Sequence, residues 1–163
     1  MSGLLNQVIN GFPEACQTQS CHRQGCTAHL GNVPNPHCII NMDDPSLRLQ
    51  NRRHCDFIIF HGVPNGVRAV ALELKSGRNV RSAVDQLDET ARYLQQKFPA
   101  PMVLSEFCAV LVHGKGIRGP WNRDLAAAKL NFRGTQVTIK RMKCNDPANP
   151  LFRAKSSLCD LDG

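Results

Sequence analysis

Residues 55–77 read Cys55-Asp56-Phe57-Ile58-Ile59-Phe60-His61-Gly62-Val63-Pro64-Asn65-Gly66-Val67-Arg68-Ala69-Val70-Ala71-Leu72-Glu73-Leu74-Lys75-Ser76-Gly77. Two apolar runs flank Pro64-Asn65-Gly66, and Asn-Gly tolerates the positive φ of a tight turn, so the stretch predicts a β-hairpin. Successive strand residues face opposite ways, which puts Glu73 and Lys75 on one face and Val70, Leu72 and Leu74 on the other. A loop with an even number of residues, such as a two-residue Asn-Gly turn, brings Asp56 to the Glu73 face as well. A five-residue loop would break that parity unless a bulge restored it.

With the parity kept, two carboxylates and one ammonium converge at the end of an otherwise apolar hairpin. Burying them beside Phe57, Ile58, Ile59 and Leu72 is costly unless they pair with one another or bind a metal. Asp56 and Glu73 offer hard oxygens to Mg²⁺, with the Leu74 backbone carbonyl as a third ligand; Mg²⁺ takes few protein carboxylates and keeps waters. Lys75 would then hold the attacking water or a scissile phosphate. The alternative is a surface hairpin whose Glu73 and Lys75 are solvated, because Glu-x-Lys alone is a weak pattern.

The pattern extends further. Asp56, sixteen intervening residues, Glu73-Leu74-Lys75-Ser76-Gly77 and then a helix carrying Gln86-Leu87 and Tyr93-Leu94 resemble the PD-(D/E)XK nuclease superfamily. That superfamily includes type II restriction enzymes, Holliday-junction resolvases and RecB-type nuclease domains. The resemblance covers residues 39–113, with Cys55 standing where the motif name has proline. It implies an α/β fold with a restriction-endonuclease-like αβββαβ core, a central mixed sheet flanked by helices. Asp56 and Glu73 would be metal ligands together with the Leu74 carbonyl, Lys75 the catalytic lysine and Gln86 its helper. The implied cofactor is Mg²⁺ or Mn²⁺, the implied activity hydrolysis of phosphodiester bonds by metal-activated water, and the implied partner nucleic acid, DNA ahead of RNA. A homodimer would be expected for cutting both strands of a duplex. The alternative is a catalytically inactive module of the same fold that binds nucleic acid or a protein partner.

At 163 residues the chain suits one domain with a real core, and residues 1–144 are read as that domain. Twenty Lys and Arg against thirteen Asp and Glu leave a formal charge of +7, which favours a polyanionic partner. Aromatic residues make up only 6%, so base stacking in the manner of single-strand binders is not advertised. Arg48, Arg52, Arg53 and His54 directly precede Asp56, and would suit phosphate-backbone contacts or equally a solvated loop. Arg78, after the hairpin, and Lys115, in the glycine-rich turn Gly114-Lys115-Gly116, are further candidates for such contacts.

The first twelve residues lack the basic region and apolar length of a signal peptide, and predict a short amphipathic helix with Leu4, Leu5, Val8, Ile9 and Phe12 on one face. No apolar run approaches the roughly 20 residues that span a bilayer. The chain is therefore expected to be soluble and cytoplasmic, with no membrane partner. A reducing compartment disfavours disulfides, so the cysteines invite a metal. Cys16, Cys21, Cys26 and Cys38 are separated by four, four and eleven residues, within a segment that has no helical or strand periodicity. Residues 16–38 are accordingly read as a cysteine-rich insertion held by Zn²⁺ on those four thiolates, with unligated thiols or an iron–sulfur cluster as alternatives. Glu14 is a further candidate acid, with cap or loop charge as its plainer role. Asp43 and Asp44 are within reach of the site or simply turn residues.

Downstream, steps of three and four through Val80, Val84, Leu87, Ala91, Leu94 and Phe98 predict a helix over 80–97, with Gln86 and Tyr93 two turns apart beside its apolar stripe. Strands are expected at 37–42, 106–113 and 135–142, and a helix at 121–130. Residues 145–163 have tail composition. Cys144 and Cys159 offer a second cysteine pair.

Overall fold

A computed structural model of the chain describes residues 2–75, 80–114 and 120–153. The elements in chain order are α1 (Ser2–Asn10), β1 (Gln17–Thr18), β2 (Cys21–Arg23), β3 (Cys26–Ala28), β4 (His37–Asn41), β5 (Phe57–Val63), β6 (Gly66–Lys75), α2 (Val80–Lys97), β7 (Leu104–His113), α3 (Pro120–Ala127), β8 (Lys129–Phe132) and β9 (Thr135–Lys143). Seven strands form one mixed sheet in the order β1-β4-β5-β6-β7-β9-β8, and β2 and β3 form a separate ribbon. β4, β5 and β6 run antiparallel as a meander, whereas β6–β7 and β7–β9 are parallel. Parallel neighbours need a crossover, and α2 supplies it between β6 and β7.

The hairpin turns through Pro64 and Asn65, with Val63 opposite Gly66. The two-residue loop sits one residue earlier than Asn-Gly, and the even parity holds. Gly66 has φ 144°, and a Cβ there would lie 2.7 Å from the Met102 carbonyl oxygen and the Ser105 Oγ. The close approach of residues 102–105 therefore requires glycine at the start of β6.

Period-two alternation gives the sheet two apolar faces. Ile58, Phe60, Ala69, Ala71, Ala109 and Leu111 pack with Leu5 and Val8 of α1, Leu87, Ala91 and Leu94 of α2 and Leu125 of α3. Ile59, Val70, Leu72, Val110 and Val112 face the other way and pack with Cys21, Cys26 and Ala28 of the ribbon and with Leu151 and Phe152. The described helices thus line one face, and the second is covered by the ribbon and the segment after β9.

Three expectations change. Residues 12–36 are not an unstructured loop, because β1 extends the main sheet beside β4 and β2–β3 cap its second face. The third helix ends at Ala127 rather than 130, because Leu130 and Phe132 alternate inward as β8. Residues 145–153 are built into the fold: Leu151 and Phe152 donate to the carbonyls of His29 and Leu30, and both side chains are buried. Cys159 and the rest of 154–163 lie outside the described residues.

Candidate active site

Asp56 stands at the bend that leads into β5. Its N–H donates to the Leu72 carbonyl at 3.1 Å and its carbonyl accepts from the Met42 N–H at 2.9 Å, so backbone on both sides fixes it. Phe57 pairs with Leu72, and one further step of that register sets Asp56 beside Glu73. The Leu74 N–H donates to Asp56 Oδ2 at 2.8 Å. Leu74, whose carbonyl is the expected third ligand, thus meets Asp56 through its N–H.

Glu73 is 1% exposed. Its Oε1 lies 2.8 Å from Lys75 Nζ, while Oε2 is buried with no hydrogen-bond partner. Lys75 also donates to Gln86 Oε1 at 2.8 Å, and Gln86 Nε2 donates to the His54 carbonyl at 3.1 Å. Gln86 thus ties α2 to the lysine and to the chain entering Asp56, on the flank of the apolar stripe where the periodicity placed it. Thr90, one turn later and fully buried, accepts from the Cys55 N–H and donates to the Gln86 carbonyl, both at 2.8 Å.

Burial dominates the electrostatics. Desolvation, with the charge of Asp56 second, pushes Glu73 up to about 7 against the pull of Lys75. Desolvation also raises Asp56, opposed by the Leu74 N–H and the nearby Arg23. Each carboxylate therefore uses one oxygen structurally, Asp56 Oδ2 and Glu73 Oε1, and keeps the other back.

Those two remaining oxygens test the fit of a divalent cation. Two hard carboxylates at neighbouring register positions, one carrying an orphaned buried oxygen, suit an ion that takes few protein carboxylates and retains water. A nearby cation would also relieve the cost of ionising both acids. No group of three or more His, Cys, Asp or Glu side chains able to hold a metal occurs among the described residues.

A cleft of about 630 Å³ opens beside Lys75 and Gln86, walled by Arg52, Arg53, His54 and Arg81 among others. Arg52 lies over the Tyr93 ring at 5.6 Å, and Arg53 pairs with Asp85 at 3.0 Å. Lys75, Arg52, Arg53 and Arg81 place four cations around this cleft, with Asp43 and Asp85 as the carboxylates in its lining. Arg48 is exposed and is not part of this wall. Arg78 and Lys115 lie outside the described residues.

A residue that sequence reasoning missed reaches the acids from the other side. Arg23 of β2 places Nη2 2.8 Å from Asp43 Oδ2 and 3.0 Å from Asn41 Oδ1, with Nε 3.6 Å from Asp56 Oδ1. His54 Nε2 is 3.6 Å from Asp43 Oδ1, so Asp43 belongs to the rim of the site. Asp44 instead caps a 3-10 turn through the Ser46 N–H, and Glu14 is exposed in another such turn. Arg81 and Thr90 were also missed, although both fall in the helix that carries Gln86.

The four cysteines expected to hold zinc do not converge. Cys16 and Cys38 belong to the helix-side core, Cys21 and Cys26 to the opposite one, so the sheet separates them. Cys26 is bonded to Cys144 across a sequence separation of 118, which corrects the expectation of a disulfide-free chain. Cys16, Cys21 and Cys38 are free and buried. Burial raises all three thiols, Cys21 to about 12, which keeps them protonated and poor ligands. No helix among the described residues is long and apolar enough to cross a membrane.

Comparison with protein-family models, with curated proteins and with solved structures returns no match to this chain.

Proposed function

We propose that this chain is a metal-dependent nuclease of the PD-(D/E)XK type, hydrolysing phosphodiester bonds in nucleic acid, DNA ahead of RNA. The observation that carries this is the gathering of Asp56, Glu73 and Lys75 at the hairpin end, with Gln86 hydrogen-bonded to Lys75. The order α1, β4, β5, β6, α2, β7, with β7 parallel to β6, supports a restriction-endonuclease-like core. Arg52, Arg53 and Arg81 beside Lys75 support an anionic substrate, since phosphate contacts need positive charge without base-reading geometry.

In this scheme Asp56 Oδ1 and Glu73 Oε2 would hold Mg²⁺ or Mn²⁺, which supplies a Lewis acid for the phosphoryl group and lowers the pKa of a bound water. Lys75 offsets the charge that builds on the phosphate oxygens, and Gln86 keeps its ammonium aimed at the hairpin end. Thr90 holds the Cys55–Asp56 backbone against α2. The cleft arginines position the phosphate chain, and cutting both strands of a duplex would call for a homodimer.

The test is cleavage of a panel of single-stranded, double-stranded and branched DNA and RNA, in Mg²⁺ or EDTA, by wild type and Glu73→Ala. Metal-dependent cutting that is lost in the variant is the expected result. Binding without cutting across the whole panel would refute it. That outcome would favour a second class of function, a non-catalytic nucleic-acid-binding module, for which the Arg23 guanidinium beside Asp56 is the supporting observation.

A further inference from the structure

We infer that Arg23 is a resident cation of the carboxylate site, held where a divalent ion must come, and that the stapled ribbon presenting it sets how tightly the site takes metal. This rests on the metal reading of Asp56 and Glu73 and adds a residue to it from outside the resembling segment. Asp56 Oδ2 is committed to the Leu74 N–H, so Oδ1 is its available donor, and Arg23 Nε faces that oxygen at 3.6 Å. The spacing is an ion pair and too long for a hydrogen bond, and Arg23 Nε is itself buried without a partner. The far end of the guanidinium is held more firmly, by Asp43 Oδ2 at 2.8 Å and Asn41 Oδ1 at 3.0 Å. An entering ion therefore competes for the weaker contact and can leave the stronger ones in place.

The backbone that carries Arg23 is fixed by three features. Arg23 pairs directly with Cys26 across the ribbon, and Cys26 is the residue bonded to Cys144. Asn145, next in the chain, donates its N–H to the Thr27 carbonyl at 2.9 Å, accepts the Thr27 N–H on Oδ1 at 3.0 Å and donates from Nδ2 to the Gly25 carbonyl at 3.0 Å. The guanidinium then lies over the Phe57 ring, Cζ 5.3 Å from its centroid, beside the sheet end. Lys75 and Gln86 approach the acids from the helix side of the sheet, and Arg23 from the ribbon side.

The experiment measures Mn²⁺ binding by paramagnetic resonance of the free ion, on the full oxidised chain without nucleic acid. Arg23→Gln should bind Mn²⁺ on the order of tenfold more tightly than wild type, equivalent to about 1.4 kcal/mol. Arg92→Gln, which removes an equal charge from an exposed pair on α2 outside the cleft, should change affinity by less than about twofold. Millimolar guanidinium should weaken Mn²⁺ binding to Arg23→Gln by refilling the vacated place and leave wild type unaffected. Cys144→Ser, which frees the ribbon and keeps the arginine, should also tighten binding and serves if Arg23→Gln misfolds. Equal or weaker affinity in both variants overturns the inference. Absence of Mn²⁺ binding in every form overturns it together with the metal reading. Tighter binding in Arg23→Gln without cleavage by any form upholds the inference and leaves only the nuclease assignment refuted.

Discussion

Glu73→Gln should make the stability of the metal-free protein less sensitive to pH. The Glu73 side chain is 1% exposed, and its burial moves it from 4.5 to about 7. The neutral form is thus favoured in the fold, while the unfolded chain ionises at its ordinary value. Stability from this group is fully present below about pH 4.5, falls as the pH rises, and is lost above about pH 7. A shift of this size corresponds to roughly 3 kcal/mol in total, of which about 2 to 3 kcal/mol falls between pH 5 and 8. At about 2 to 4 °C per kcal/mol for a domain of this length, the melting temperature of wild type should drop by roughly 4–12 °C across that interval. Glutamine keeps an oxygen for Lys75 and cannot ionise, so the variant should lose that much less. Thermal unfolding of both proteins in EDTA at about pH 5 and about pH 8 gives the comparison, and added Mg²⁺ should restore much of the wild-type loss at the higher pH. Equal pH slopes in the two proteins would refute the premise that Glu73 is a desolvated acid held for a cation.

Lys75→Ala should abolish cleavage by at least about a hundredfold while nucleic-acid binding, measured by fluorescence anisotropy, changes little. Thr90→Val should cost about 1–3 kcal/mol in urea unfolding, because the buried Cys55 N–H loses its acceptor. A neutral result would remove Thr90 from its supporting role. Cys144→Ser should destabilise the protein by up to about 5 kcal/mol, the loop-closure value for a link spanning 118 residues, read as a lower urea midpoint than that of the oxidised wild type.

The hairpin was legible because its information is local. Period-two alternation and an even loop decide which side chains share a face, so Asp56, Glu73 and Lys75 converge whether the turn is centred on Asn65-Gly66 or on Pro64-Asn65. Gln86 was legible because helical periodicity fixes the flank on which it stands. The ribbon was not, since strands of three residues leave no periodic signal, and its partners Cys144, Leu151 and Phe152 lie more than 110 residues away. Cysteine spacing by itself cannot give connectivity, so a cluster dense in sequence was read as a metal site. In the fold, β4 carries Cys38 to one face while the ribbon takes Cys21 and Cys26 to the other. Arg23 was hidden for the same reason, as nothing near it in sequence points to Asp56.

The disulfide also orders events in time. Asp56, Glu73, Lys75 and Gln86 have all been added to a growing chain 58 residues before Cys144, its later half, is incorporated. At about 5–20 residues per second, the ribosome needs roughly 3 to 12 s to cover that distance. During synthesis the acids, the lysine and Arg23 therefore coexist for seconds before the disulfide that staples the ribbon can form.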